Sequence, residues 1–169
     1  MLMAARPVTY LITFACYGAH MHGDETGSVD RTHNLPGSKL LPSQPGRLKA
    51  ERALMDQPPY VLDARRREIV LASIRRVSLH RKWLLLAAHV RTNHVHAVVD
   101  AGVQPERVMN DFKAYASREL NRLESSTRKR WARQGSTRWL REGEDVRGAI
   151  QYVVERQGEP MAVFAADVR

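Results

Sequence analysis

The 169-residue chain predicts an α+β fold, a ferredoxin-like antiparallel sheet covered by helices, and three observations carry that expectation. Segments of strand and helix character follow one another in the order β-α-β-β-α, with a further strand and helix behind them. Only Arg91, Thr92 and Asn93 separate the two middle strands, which makes them a hairpin. The helical segments carry apolar residues along one side, as elements laid on a sheet must.

Val8 to Tyr17 (VTYLITFACY) is rich in β-branched and aromatic residues and predicts a first strand, β1, ended by Gly18. From about residue 19 to 59 the chain is dense in Gly and Pro, without sustained periodicity beyond a short helical stretch near Leu48 to Met55. It is expected to be a long loop inserted into a single domain spanning 1–169. Asp63 is placed to cap a helix, α1, running to about Lys82, with Val70, Ile74 and Val77 at helical spacing and arginines on the other faces. Trp83 to Val90 and His94 to Asp100 are the hairpin strands β2 and β3. Pro105 suits the first turn of α2, whose stripe of Met109, Phe112, Ala116, Leu120 and Leu123 runs to about Glu124. A short strand, β4, is expected around Thr137 to Leu140, and a last helix, α3, over Asp145 to Gln157, burying Val146, Ile150, Val153 and Val154.

The formal net charge is +9, from 27 Lys and Arg against 18 Asp and Glu, which favours a polyanionic partner. Nucleic acid comes first. An anionic membrane surface comes second and fares poorly, because no stretch approaches the ~18 apolar residues that span a bilayer and no basic segment is fused to an apolar anchor. The N-terminal apolar run is short and alternates like a strand rather than a signal peptide, so the expected location is cytoplasmic. The single cysteine, Cys16, forms no intramolecular disulfide and reads as a small buried residue of β1 in a reducing compartment.

His94 and His96 lie two apart on a strand, so their imidazoles project from one face and are spaced to bind one ion. The competing reading is a pair of histidines on a polar strand face. On α2, Tyr115 and Glu119 are four residues apart and share one edge beside the apolar stripe. Glu119 can supply an oxygen ligand and Tyr115 can reach the same site one turn away. Two imidazoles and a carboxylate would leave positions open for a phosphate oxygen and water on Mg²⁺ or Mn²⁺, with Zn²⁺ also compatible by ligand type.

Four segments together resemble one family. They are YLITFACYG in β1, NHVHAVV with its histidine-hydrophobic-histidine signature, FKAYASRELN on α2, and WARQGST followed by AIQYVVERQ. In this order they resemble the IS200/IS605-like single-tyrosine (Y1) HUH transposases and the REP-associated tyrosine transposase branch. The resemblance implies a metal-dependent transesterase that nicks and rejoins single-stranded DNA at hairpin repeats through a 5′-phosphotyrosine. It assigns His94 and His96 to the metal, Tyr115 to the nucleophile and Glu119 to a third, polar ligand. The chain departs from relatives at Arg91-Thr92, where they commonly carry Met-Pro, and in the length of the 19–59 insertion.

Lys113 and Arg122 flank Tyr115 and are candidate phosphate contacts. Arg128, Lys129, Arg130, Arg133, Arg138 and Arg141 are interleaved with Trp131 and Trp139, a pairing of charge with stacking surface that suits single-stranded DNA. His20, His22, Asp24, Asp30 and His33 of the insertion match no standard metal spacing and read as a polar loop. Two other functions fit these residues: a non-catalytic single-stranded nucleic-acid-binding module, and a metal-dependent hydrolase in which water attacks. A homodimer is also compatible, since relatives can set one subunit's tyrosine helix against the other's histidines.

Overall fold

The computed structural model describes residues 8–19, 53–125, 127–141 and 143–167. Among them, β1 (Val8–Cys16), α1 (Ala64–Arg81), β2 (Leu84–Val90), β3 (His94–Ala101), α2 (Pro105–Leu123), β4 (Trp131–Leu140), α3 (Gly143–Glu155) and β5 (Ala162–Ala165) follow in order. The strands form one antiparallel sheet in the order β4-β1-β3-β2-β5. The expected fold class is the observed one. Most of the 19–59 insertion, with its histidines and most of its expected short helix, lies outside the described residues.

Alternation along β3 decides what covers each face. Val95, Ala97, Val99 and Ala101 point to one side and pack with Ile12 and Phe14 of β1, Val70, Ile74 and Val77 of α1, and Val108, Phe112, Ala116 and Leu120 of α2. That is the main core. The opposite face of β3 carries His94, His96 and Val98, and there Val98, Leu11 and Ala87 meet Ala149 and Val153 of α3. Helices α1 and α2 therefore cover one face and α3 the other, so the sheet is sandwiched.

The helix ends follow local chemistry. The Asp63 carboxylate accepts from Arg66 N–H at 2.8 Å, capping α1 as expected. Lys82 closes the helix in the left-handed region, φ 61°, and its N–H bonds the carbonyls of the last turn. Cys16 is fully buried, and burial pushes its thiol up to about 12, an inert structural thiol.

Two elements exceed the sequence expectation. β4 starts at Trp131 rather than near Thr137, because pairing with β1 holds the weak strand former Gly135 opposite Phe14 and, past a register shift between Phe14 and Cys16, resumes at Trp131. β5 has only four residues, too few for a periodic signal, and exists because the edge of β2 pairs with it. Gly135 is required by space: a Cβ there would lie 2.5 Å from the Thr13 carbonyl oxygen and 2.5 Å from Met109 Sδ. Because a backbone oxygen cannot step aside, Gly135→Ala is expected to destabilise by about 1–3 kcal/mol. An unchanged midpoint in urea would contradict it.

Candidate active site

His94 and His96 open β3 and face α3 with ring centroids 4.8 Å apart. Each ring is oriented from behind. His94 Nδ1 donates to Asn93 Oδ1 at 2.7 Å, which makes Nε2 its lone-pair nitrogen. His96 sits opposite Thr13 in the ladder, and the Thr13 hydroxyl lies 2.8 Å from His96 Nδ1. Burial, reinforced by the neighbouring His94 and His89, pushes His96 down to about 3, against a hydrogen bond with Gln157 that works the other way. His96 is thus a neutral imidazole at physiological pH, the form that donates a lone pair to a metal.

Tyr152 stands over this pair. It is a half-buried residue in the last turns of α3, and its ring centroid lies 5.6 Å from that of His96 in an edge-on contact. Gln157 donates through Nε2 to the Tyr152 carbonyl at 3.2 Å and also bonds His96, tying helix end and imidazole together. The donors gathered here are the two imidazoles, that of His96 neutral, and one amide oxygen. Among the described residues no three His, Cys, Asp or Glu lie close enough to hold a metal, so this donor set lacks a carboxylate.

The structure brings His94 and His96 together and leaves Tyr115 and Glu119 apart from them. Both lie on α2, across the sheet. Tyr115 packs on the edge of the main core with the Arg118 guanidinium 4.9 Å over its ring. Glu119 pairs with Arg76 of α1 at 3.4 Å and with Arg122 at 3.2 Å. The reason is parity: the fully apolar side of β3 takes α2, which has the larger apolar stripe, and the histidines occupy the other side. Within one chain, therefore, neither Glu119 nor Tyr115 faces the histidines.

The expected DNA contacts divide in the same way. Arg128, Lys129, Arg133 and Arg141 are exposed and Arg138 half-buried. Arg122 is exposed but paired with Glu119. Lys113 is half-buried, donates to the Ala132 carbonyl at 3.0 Å and lies over Phe14, with burial lowering its pKa. Arg130 is buried in a network with Asn121 and Glu124. Trp131 is held edge-on to Phe14, its indole N–H donating to the Lys113 carbonyl and Ser117 Oγ, which makes it a packing residue. Trp139 is 49% exposed, with one edge on Tyr10.

Sequence reasoning passed over Tyr152, Thr13 and Gln157. The available signal was the apolar set of α3, which left Tyr152 flanking Val153 on a helix with no other sheet face to cover. The exposed basic residues Arg128, Lys129 and Arg133 lie by the start of β4, at the end of the sheet where Cys16 pairs with Trp131 and bonds Asn93. His94 is at that same end.

Residues 59–142 match the family model described as "Transposase IS200 like". Among solved structures, the chain is similar to a REP-associated tyrosine transposase bound to a REP hairpin, with a TM-score of 0.50 and 11% sequence identity over 92% of this chain and 70% of that one. At that identity the likeness is one of fold. No curated protein matches the chain.

Proposed function

Because this chain belongs to the IS200-like transposase family, we propose that it is a metal-dependent transesterase of single-stranded DNA whose nucleophile is Tyr152. His94, His96 and the Gln157 amide oxygen would hold the ion. The observation that carries the reading is the Tyr152 ring, 5.6 Å from His96 on the sheet face that also presents His94. Tyr115 is the alternative nucleophile, and it would need a second subunit to bring it to the histidines.

The bound divalent ion supplies Lewis acidity toward a phosphate oxygen and a template for the strand. The remaining chemistry belongs to the chain. Tyr152 Oη gives up its proton and bonds to phosphorus, the bond from phosphorus to the 3′ oxygen breaks, and that oxygen leaves with the electron pair and takes a proton. The products are a 5′-phosphotyrosine and a 3′-OH. Attack by another 3′-OH reverses the step and joins strands, since the phosphodiester energy stays in the covalent bond. Thr13 and Asn93 aim the two imidazoles, and burial keeps His96 neutral.

A DNA hairpin with single-stranded flanks suits the surface, because exposed Arg128, Lys129 and Arg133 lie at the same end of the sheet as His94. The structural neighbour's hairpin is consistent with such a substrate. The test is to trap the covalent adduct on such an oligonucleotide and map the nucleotide-bearing peptide by mass spectrometry. A nucleotide on Tyr152 is expected. A nucleotide on Tyr115 would replace this reading with a two-subunit site, and binding without any adduct would leave a non-catalytic module.

The donor set also ranks the metals. Imidazole nitrogens without a carboxylate suit Mn²⁺ better than the harder, oxygen-seeking Mg²⁺. Half-maximal adduct formation is expected at a concentration about tenfold lower in Mn²⁺ than in Mg²⁺. Equal requirements in a titration of both ions would remove that argument.

A further inference from the structure

Tyr152 lies three residues before the end of α3, in the last turn, whose carbonyls are where a helix runs out of partners of its own. Left to itself, such a turn frays, and an aromatic ring on it wanders. Here the turn is held from the neighbouring strand. His89, fully buried on β2, has both ring nitrogens committed: Nδ1 donates to the Val153 carbonyl at 3.0 Å, and Nε2 accepts from Met161 N–H at 3.1 Å. One ring thus closes the carbonyl end of α3 and fixes the chain entering β5.

Two neighbours add to this hold. Arg91 Nη1 donates to the Glu159 carbonyl at 2.9 Å, and the Thr92 hydroxyl lies 3.6 Å from Met161 Sδ. Between the anchors the chain reverses at Gly158, whose φ of 79° is one that L side chains rarely adopt. The loop after α3 is therefore pinned at 159 and 161 by the end of β2 and its turn, which includes the Arg91-Thr92 pair that departs from the family pattern.

We infer that His89 and Arg91 form a clasp that positions Tyr152, holding the last turn of α3 so that the ring stays over His94 and His96. Neither side chain touches substrate in this scheme. The inference rests on Tyr152 being the nucleophile, but the clasp itself is a structural device that can be tested without activity.

The experiment compares Arg91→Ala, Arg91→Lys and His89→Leu with the parent chain, and uses Arg66→Ala, on the opposite helical layer, as a control for general loss of stability. Hydrogen exchange of amides 153–163 reads the clasp directly. Single-turnover formation of the covalent adduct on a hairpin oligonucleotide with single-stranded flanks, in Mn²⁺, reads its consequence, and the oligonucleotide's Kd is measured alongside. Arg91→Ala and His89→Leu are expected to raise exchange in this segment, Met161 included, and to slow adduct formation about tenfold with Kd within about twofold. Arg91→Lys, which can still donate to Glu159, is expected to recover most of the rate, and Arg66→Ala to leave both readouts in place.

Unchanged exchange in both Arg91→Ala and His89→Leu would overturn the clasp. Raised exchange with an unchanged adduct rate would reduce it to a structural cap that positions nothing. A Kd weakened more than about fivefold by Arg91→Ala would make Arg91 a DNA contact instead. Should Tyr152→Phe still form the adduct, the nucleophile assignment falls and with it the positioning role, while the exchange result separately decides whether the clasp exists.

Discussion

Replacing Tyr152 with phenylalanine is expected to abolish covalent attachment to DNA, a loss of at least about a thousandfold, since the ring that remains carries no oxygen to bond to phosphorus. The ring is kept, so the edge contact with His96 survives and stability should change little. Affinity for the hairpin oligonucleotide is expected to stay within about threefold, because the exposed basic residues near the start of β4 are untouched. Tyr115→Phe provides the contrast. Its hydroxyl lies on the α1 and α2 side, so cleavage by that variant is expected to match the parent chain within about twofold. Loss of the adduct in Tyr115→Phe with retention in Tyr152→Phe would overturn the single-chain site. Mixing whichever tyrosine variant loses the adduct with His96→Ala then separates the geometries: if one subunit's tyrosine meets the other's histidines, the mixed population recovers activity, and if the site is built within one chain it does not.

The reason the sequence pointed to Tyr115 is instructive about what a pattern can carry. Alternation along a strand fixes that His94 and His96 share a face, and it also fixes that Val95, Ala97 and Val99 share the other. It does not say on which side the next helix lies. The three residues between β3 and α2 allow either, and the decision is made by how much apolar surface each face must hide. The odd-numbered face of β3 is apolar throughout and draws the helix with the longest stripe, Val108 through Leu120. The histidine face needs a cover that tolerates polar groups, and α3 contributes mainly Ala149 and Val153 there. Strand and helix identities were legible for that reason, since each rests on local periodicity. Of the site proposed here, only the strand half was legible. Likewise, six basic residues between 128 and 141 look alike as letters, whereas their burial depends on contacts with α2 that no local spacing encodes.

Arg130 is where that difference has the largest effect on stability. Its side chain is only 3% exposed and bonds Glu124 at 3.0 Å and Asn121 at 2.6 Å, while Arg66 holds the other oxygen of the same carboxylate at 2.7 Å and the Tyr60 hydroxyl donates to it at 3.0 Å. The network ties the approach to β4 to the ends of α1 and α2. Arg130→Met removes one partner from a buried pair and is expected to cost about 3 kcal/mol, the low end for such a break because Arg66 and Tyr60 stay with Glu124. One buried Arg130 nitrogen, Nε, has no partner among the described residues, so the intact pair already carries a desolvation cost. Burial alone would raise the Glu124 pKa, but the bonds from Arg130, Arg66 and Tyr60 outweigh it and hold the carboxyl below its ordinary range. A carboxyl lowered in the folded state contributes stability that is present above its unfolded pKa and lost as pH falls through the folded one. Urea midpoints should therefore fall with acid in the parent chain, and fall less steeply in Arg130→Met, which has less of that contribution to lose. Exposed Arg133 is expected to behave oppositely: Arg133→Ala should leave the midpoint within about 0.5 kcal/mol and lower the slope of log Kd against log salt by about 1. If Arg130→Met instead spared stability and shifted only the salt slope, Arg130 would belong with the DNA contacts and the network around Glu124 would be incidental.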